Sequence, residues 1–425
     1  MDKICRAMMN LIGSEICGNA VCADEIKALS DDELKALYKL SKSHDLAHLV
    51  GNALIKNNLL DEENPNGDEN HDGDKTQGGG ENHSANKEQG SGENHSGAIR
   101  SEIKQKFEKQ ILTAIYRYEN INSELETLKT AFEEEKIPFI PLKGSVIRQY
   151  YPEPWLRTSC DIDILVHEED IERAIAVLTD KNGYTLKDKG YHDYSLFSPA
   201  GVHLELHFNI KENMNTIDGV LIKAWDYAEV CDGKTYEHKF SDEFLMYHQF
   251  AHASYHFVNG GCGIRPIIDI FLLRKAVPYD KKKAGELLDE GKIKTFADKI
   301  CNLSEVWFGG AEHNEATKNI EKFLLSGGIY GTKENYTAVG QSKNKGKAGH
   351  LLKRIWLPYQ NLAIEYPNLK GKRILQPFYE IKRWCKLFKK DIFKKSMREL
   401  KTNTSMSQEK VDETKAMLKD LGLSD

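Results

Sequence analysis

The stretch DIDILV, residues 161–166, holds the alternation that decides the fold of this chain. Side chains of a β-strand alternate between two faces, so Asp161 and Asp163 would share one face, with Ile162 and Ile164 on the other. Two carboxylates held in parallel repel, and each raises the pKa of the other unless a cation lies between them. A divalent cation such as Mg²⁺ stabilises both as anions. The stretch therefore predicts a strand whose acidic face binds a metal ion.

The same alternation returns in HLELHF, residues 203–208. His203, Glu205 and His207 would share one face of this second strand, with apolar side chains opposite. If the two strands are neighbours, Glu205 supplies a third carboxylate. The two histidines flank it on the presumed site face, either as packing and hydrogen-bonding partners or as metal ligands.

A candidate phosphate-binding turn precedes the acidic strand, in FIPLKGSVIRQYY at residues 139–151. The pattern predicts a strand that breaks at Gly144 and enters a helix at Ser145. Amides at a helix N-terminus can bind a phosphate, and Lys143 adds a positive charge. Arg157, just ahead of the acids, could neutralise a triphosphate. A solvated lysine and a structural ion pair remain the alternatives for Lys143 and Arg157.

Together, LKGS, LRTSCDIDILV and VHLELHF resemble the uncharacterised nucleotidyltransferase family within the DNA polymerase β-like superfamily. The resemblance is closest over residues 136–210 and extends more weakly to the helices on both sides. It implies that Gly144 and Ser145 bind nucleotide phosphates, that Asp161 and Asp163 hold the metals, and that Glu205 is the third acid. Two features depart from the family pattern. Fifteen residues separate Ser145 from Asp161, and Val146 stands where minimal members often carry arginine.

The resemblance also implies an enzyme, a metal-dependent nucleotidyltransferase that uses Mg²⁺ or Mn²⁺ and a nucleoside triphosphate, ATP by default. An acceptor hydroxyl would attack the α-phosphorus, and pyrophosphate would leave. Glu205 would complete the shell of one ion or help to take the proton. No motif selects among a protein hydroxyl, a small hydroxylated molecule and an RNA end as the acceptor. The base preference and the oligomeric state are also left open.

Composition narrows the classes of protein that fit. At 425 residues the chain should form two or three packed units. No apolar run approaches the roughly 18 residues of a membrane span. With 59 Lys and Arg against 65 Asp and Glu, a surface that binds nucleic acid everywhere is excluded, although a local basic patch is not. The N-terminal residues show no export signal, and the eight scattered cysteines indicate reduced thiols, so we expect a cytoplasmic protein.

Composition and periodicity divide the chain into seven segments and predict an α+β fold, a small mixed-sheet core flanked by N-terminal and C-terminal helical regions. The resemblance implies that this core is a nucleotidyltransferase core. The segments are an N-terminal helical region (1–60), a disordered low-complexity insert (61–98), a helical connector of one or two helices (99–135), the core (136–230), a helical domain (240–325), a flexible loop (326–350) and a basic helical tail (351–425). The insert repeats ENH, and its histidines (His71, His83, His95) lack fixed ligand geometry.

Histidines at steps of four mark the helical domain: His248, His252 and His256. That spacing shares a helix face and could bind a transition metal, but aromatic neighbours favour buried residues that face an acceptor pocket. Arg265 and Asp269 lie four apart, as an ion pair within one helix or as substrate contacts. The possible acceptor pocket thus comprises His203, His207, His252, Arg265 and Asp269.

Two rival functions come from other classes. The first is a catalytically silent binding module with the same fold, which the clustering of three like charges argues against. The second is an RNA-binding protein that acts through the basic tail, where Trp384, Phe388 and Phe393 lie among lysines. A solvated amphipathic helix is the alternative for that tail.

Overall fold

The computed structural model describes residues 3–61, 93–190, 192–328, 331–344, 346–386 and 390–424. The chain divides into two compact units, one of residues 1–42 and 47–112, the other of residues 43–46 and 113–425. The predicted insert, with His71 and His83, lies almost wholly outside the described residues. The side chain of His95 lies outside them too.

The first unit is helical and contains α1 (Lys3–Cys17), α2 (Ala23–Lys27), α3 (Asp31–Ser43), α4 (Ala47–Lys56) and the first part of α5 (Glu93–Glu134). A capping box starts α3, since Ser30 Oγ accepts from the Glu33 amide and Glu33 accepts from the Ser30 amide. Gly51 allows α4 to approach α5 closely, because a Cβ there would lie 2.8 Å from the Phe107 ring. Because α5 is continuous from Glu93 to Glu134, the predicted connector is one helix, and this helix begins before the predicted start at residue 99.

The second unit is built on a five-stranded mixed sheet with the order β1-β2-β5-β4-β3. Its strands are β1 (Phe139–Pro141), β2 (Asp161–Val166), β3 (Thr185–Lys189), β4 (Asp193–Phe197) and β5 (His203–His207). Strands β2 and β5 run parallel and every other pair is antiparallel. The parallel pair occupies the middle, so the two acidic strands of the sequence are neighbours. This confirms the α+β class.

Alternation explains why this sheet forms, because the apolar positions of β2 and β5 are fully buried on one face. Ile162, Ile164, Leu204 and Leu206 are each 0% exposed. They share a core with the second half of α5 and with the helix α7 (Ile171–Ala176). Burying a side chain of this size contributes about 1.5–3 kcal/mol. The opposite face is left to the polar residues.

Most of the other helices follow the sheet along the chain, after a hairpin of β6 (Ala228–Val230) and β7 (His238–Phe240). The remaining helices are α6 (Gly144–Ile147), α8 (Asn215–Leu221), α9 (Asp242–Val258), α10 (Arg265–Ala276), α11 (Lys281–Glu290), α12 (Lys294–Phe308), α13 (Glu315–Leu325), α14 (Lys333–Lys343), α15 (Gly346–Ile355), α16 (Tyr359–Glu365), α17 (Gln376–Cys385), α18 (Lys390–Ser405) and α19 (Gln408–Asp420). The first two differ, because one lies between β1 and β2 and the other between β5 and β6. No helix among the described residues is long and apolar enough to span a membrane.

The structure corrects the interpretation of residues 326–350 as a flexible loop. Helix α14 begins at Lys333, and helix α15 begins at Gly346. The side chain of Thr332 caps α14 by accepting from the Asn335 amide at 2.9 Å, and Ala338 and Val339 are buried. Gly340 and Lys343 lie in α14, and Gly346 and Lys347 lie in α15, where local polarity concealed the few buried positions. Gly327, Gly328 and Gly331 precede α14 and lie in no helix.

Candidate active site

Three carboxylates meet on the polar face of the parallel strand pair. In its register, Asp161 pairs with His203 and Asp163 pairs with Glu205. Possible ligand atoms of Asp161, His203 and Glu205 lie within 4.8 Å of one another, as do those of Asp163, Glu205 and His207. The predicted adjacency of the two acidic strands is therefore confirmed. Oxygen-rich sets with one imidazole fit a hard divalent cation.

Asp163 is the buried member of this cluster, with 5% of its surface exposed. Its Oδ1 accepts from Lys143 Nζ at 2.9 Å and contacts His207 Nε2 at 3.0 Å. Burial alone would raise the pKa of Asp163, but the Lys143 charge and the His207 hydrogen bond hold that pKa far below its usual value. Asp163 is thus an anion at any physiological pH.

Asp161 has the opposite electrostatics. Burial, and then the negative charges of Asp163 and Glu205, raise the pKa of Asp161. By contrast, the nearby His207 imidazole lowers the pKa of Glu205. The cluster therefore carries more negative charge around Asp161 than its protein partners neutralise. A cation bound here would neutralise that excess negative charge, so the residues present fit a metal site.

The two histidines of β5 differ in their contacts. His207 is buried and bridges Asp163 and Glu205, with its Nε2 at 3.6 Å from the latter. Burial would lower the pKa of His207, but the hydrogen bond to Asp163 and the nearby Glu205 carboxylate raise it. His203 instead forms a 2.8 Å hydrogen bond with Ser195 Oγ and stacks on Phe197. His207 therefore orients the acids, whereas His203 remains at the rim beside Asp161.

The turn before the acidic strand depends on Gly144. Lys143 has a positive φ of 45°, and a Cβ at Gly144 would lie 2.7 Å from Arg157 Nη1 and 3.0 Å from Ser159 Cβ. The predicted helix is short, since α6 has four residues. The buried Oγ of Ser145 has no hydrogen-bond partner among the described residues. The turn thus packs against Arg157 and keeps one hydroxyl unsatisfied.

Arg157 is held in a buried ion pair. Its Nη2 lies 2.9 Å from Asp269 Oδ2, and Tyr151 donates to Asp269 Oδ1 at 2.7 Å. Arg265 donates to Asp45, which also accepts from Thr158 at 2.8 Å. The alternative of an Arg265–Asp269 pair within one helix is therefore wrong. Sequence spacing could not reveal these partners, because 112 residues separate Arg157 from Asp269.

One cavity of about 270 Å³ joins the turn, the acids and the helices α9 and α10. Its lining includes eight of the predicted residues, whereas Ser145, His203, Glu205 and His207 do not line it. The eight are Lys143, Gly144, Arg157, Asp161, Asp163, His252, Arg265 and Asp269. Residues predicted for nucleotide binding and residues predicted for the acceptor pocket thus line the same cavity.

A hydrogen-bonded chain that sequence reasoning missed reaches this cavity. Glu212 Oε1 lies 2.7 Å from His252 Nδ1, and His252 Nε2 lies 3.1 Å from His256 Nε2. Burial lowers the pKa of both histidines to about 3 and raises the pKa of Glu212. His252 is therefore neutral and fixed in orientation. The only signal for Glu212 was an acid shortly after the HLELHF strand.

Comparison with known proteins gives one match. A family model described as uncharacterised nucleotidyltransferase matches residues 30–309, about two thirds of the chain. No curated protein matches, and no solved structure matches. The matched range includes the turn, all three acids and the helices α9 and α10.

Proposed function

The chain belongs to the family of uncharacterised nucleotidyltransferases, and we propose from this premise that it transfers a nucleoside monophosphate from a nucleoside triphosphate, ATP by default, to a hydroxyl acceptor. The observation that carries the proposal is the register of the parallel strands. It sets Asp163 opposite Glu205 and Asp161 two residues away on the same face, beside a cavity. Three acids from two strands are what two-metal transfer to phosphorus requires.

Asp161, Asp163 and Glu205 would hold Mg²⁺ or Mn²⁺. When bound, the metal lowers the pKa of the acceptor hydroxyl and neutralises phosphate charge. The protein supplies position, because His207 contacts both Asp163 and Glu205 and would keep their carboxylates in place to bind the ion. Glu205 is the partly exposed acid of the two, and it would accept the acceptor's proton.

The turn at Gly144 would bind the triphosphate. Gly144 lines the cavity, whereas the buried Ser145 hydroxyl does not, so its role as a phosphate donor is what the family resemblance implies. Lys143, now paired with Asp163, can share its charge with an anionic ligand. Arg157 would help to position the turn, because its guanidinium is paired with Asp269 and packs against Gly144.

The proposed transfer is a single displacement at phosphorus and needs no covalent enzyme intermediate. The acceptor oxygen forms a bond to the α-phosphorus as the bond from that phosphorus to the bridging oxygen breaks, and pyrophosphate leaves with the electron pair. The hydroxyl proton goes to Glu205 or to solvent. What remains for the protein is alignment and charge, which is where nucleotidyl transfer obtains most of its rate.

A label-transfer assay tests the proposal. The full chain is incubated with each α-labelled nucleoside triphosphate and Mg²⁺ or Mn²⁺, alone and with cell extract, and labelled protein, RNA and small molecules are separated. Asp163→Asn should lower transfer at least a hundredfold, because metal binding loses its buried anion. Asp188→Asn is the matched control, since Asp188 is exposed on β3 and bonds locally to the Lys189 amide.

Two results would refute the proposal: transfer that Asp163→Asn leaves at the wild-type rate, and nucleotide binding without transfer from any triphosphate. The second result would favour the silent binding module. The identity of the labelled product would at the same time select the acceptor class.

A further inference from the structure

Apolar side chains concentrate on the surface of one C-terminal stretch. Among the described residues, nine of the fifteen large hydrophobic side chains that are exposed lie between residues 352 and 397. They are Leu352, Ile355, Trp356, Ile374, Leu375, Phe378, Ile381, Phe393 and Met397. Contiguous exposed apolar area marks a binding surface more often than isolated residues do.

Helix α17 is turned so that its polar face points into the protein. Glu380 is 0% exposed, and its carboxylate accepts from the Leu357 amide at 2.6 Å. Gln376 donates to the Leu357 carbonyl at 2.9 Å, and Arg383 pairs with Glu380. The buried side of this helix therefore combines hydrogen bonds and charge with Tyr379, which packs against Tyr366.

The outer side of the same segment is apolar. Ile374, Phe378 and Ile381 follow at steps of four and three, so they lie along one face, and they are 89%, 64% and 56% exposed. Nearby, an apolar groove of about 510 Å³ is lined by Ile355, Trp384, Phe393 and Met397 among others. We call the face and the groove the C-terminal apolar surface.

Positive charge is concentrated in the same part of the sequence. Residues 343–401 contain seventeen Lys and Arg against four Asp and Glu, an excess of thirteen positive charges in a chain whose net charge is −6. Lys372, Arg373 and Lys382 are exposed, and in the sequence they are close neighbours of Ile374 and Ile381. The partner that complements this stretch is therefore strongly anionic and also accepts aliphatic side chains.

A lipid surface meets both requirements better than RNA does. Single-stranded RNA rewards aromatic platforms on which bases stack. Here the most exposed side chain is an isoleucine, and Leu352, Ile374 and Ile381 offer no ring. Aliphatic and aromatic residues flanked by Lys and Arg are the composition of helices that lie in the interface of anionic bilayers.

We propose that the C-terminal apolar surface docks the protein peripherally on a bilayer that contains anionic lipid. Ile374, Phe378 and Ile381 enter the boundary between headgroups and acyl chains, and the flanking lysines and arginines contact the headgroup phosphates. The proposal is independent of nucleotidyl transfer, because no residue in it belongs to the candidate active site.

Vesicle co-sedimentation of the full chain tests this docking, with phosphatidylcholine vesicles and with vesicles that also contain phosphatidylglycerol. The variant Ile374→Ser/Phe378→Ser/Ile381→Ser keeps every charge and should weaken binding to anionic vesicles at least tenfold. Leu112→Ser/Tyr116→Ser is the matched control, because these side chains are 68% and 69% exposed on α5.

A second variant, Lys372→Gln/Arg373→Gln/Lys382→Gln, tests the charge contribution and should weaken vesicle binding most at low salt. Circular dichroism and thermal unfolding verify that each variant is folded.

Several results would overturn the proposal. These are equal binding of the wild-type chain to neutral and anionic vesicles, and wild-type binding by the triple serine variant. Tighter binding to single-stranded RNA than to vesicles, lost in the serine variant, would assign the surface to nucleic acid instead. A wild-type dimer that the serine variant converts to monomer would assign it to a second copy of this chain.

Discussion

At the scale of single residues, the site combines two kinds of constraint that act on the same few ångströms. Asp163 is fixed by Lys143 and His207, which hold it as an anion. Gly144 is fixed by packing, because Arg157 occupies the space that any side chain would need. The sequence predicted Asp163 as a site acid but not its pairing with Lys143 and His207. The packing constraint likewise requires knowing that Asp269 anchors Arg157.

Gly144→Ala should therefore damage both stability and transfer. The added methyl group would lie 2.7 Å from Arg157 Nη1, and the guanidinium cannot yield without straining its bond to Asp269. Overpacking of this kind costs about 1–3 kcal/mol, and we expect transfer to fall at least tenfold. Urea unfolding and the label-transfer assay measure the two effects.

Gly219→Ala is the control for this substitution, since nothing lies within 4 Å of a Cβ at that position in α8. It should leave transfer unchanged and stabilise the fold by a few tenths to about 1 kcal/mol. Wild-type activity and stability in Gly144→Ala would show that Arg157 is free to move.

At the scale of elements, α9 delivers its histidines to two environments. His252 lines the cavity and pairs with Glu212. His248 is 1% exposed and lies edge-on to Phe240, and its Nδ1 has no hydrogen-bond partner among the described residues. Spacing at steps of four predicted a shared face, but only the packing of β7 and the loop after β5 determines which histidine meets the site.

The burial of His248 predicts a pH-dependent stability. Burial, helped by the charges of neighbouring basic groups, lowers the pKa of His248 from 6.5 to about 3. Because the folded pKa lies below the unfolded one, the unfolded chain binds the proton first. The stability that neutral His248 allows is complete above pH 6.5 and is lost as the pH falls from 6.5 towards 3, by up to about 1.4 kcal/mol per pH unit.

Replacing His248 with glutamine should therefore reduce the slope of unfolding free energy against pH between 6.5 and 4.5 by up to about 1.4 kcal/mol per unit. Denaturant titrations at half-unit steps measure it. Above pH 7.5 the difference between variant and wild type should be constant, which serves as the internal control. An unchanged slope would mean that His248 is hydrated or protonated in the folded chain.

At the scale of the whole molecule, the sequence predicts the core well and its surroundings poorly. The alternation in DIDILV and HLELHF correctly predicted which side chains share a face of each strand, because a period of two is a local property. The pairing of the two strands is a long-range contact that the structure shows. Arg157–Asp269 and Arg265–Asp45 could not be predicted, since their partners come from distant segments. The seven-segment division remains a prediction. The loop at 326–350 was misread because helices with few buried residues resemble loops in composition.

Charge balance across the site gives a final prediction that separates metal binding from folding. Without metal, Asp161 experiences repulsion from Asp163 and Glu205, which together with burial raises the pKa of Asp161. Asp161→Asn should therefore raise the thermal unfolding temperature of the metal-free protein, while it removes the stabilisation that Mn²⁺ gives to the wild type. That stabilisation is about 2.7 kcal/mol when the free metal is a hundred times its dissociation constant.

Scanning calorimetry in chelator, and then across a Mn²⁺ titration, measures the unfolding temperatures of the two proteins. We expect the variant to be the more stable one without metal and the wild type to be the more stable one at high Mn²⁺, so that the two curves cross. A cluster that exists only as a polar surface would give two curves that never cross, since neither protein would respond to the metal. A structural role for Asp161 would instead lower the unfolding temperature of the variant in chelator, because a needed hydrogen-bond acceptor would be lost. Only a site in which protein groups leave negative charge unneutralised, and a cation supplies the balance, destabilises the wild type without metal and stabilises it with metal.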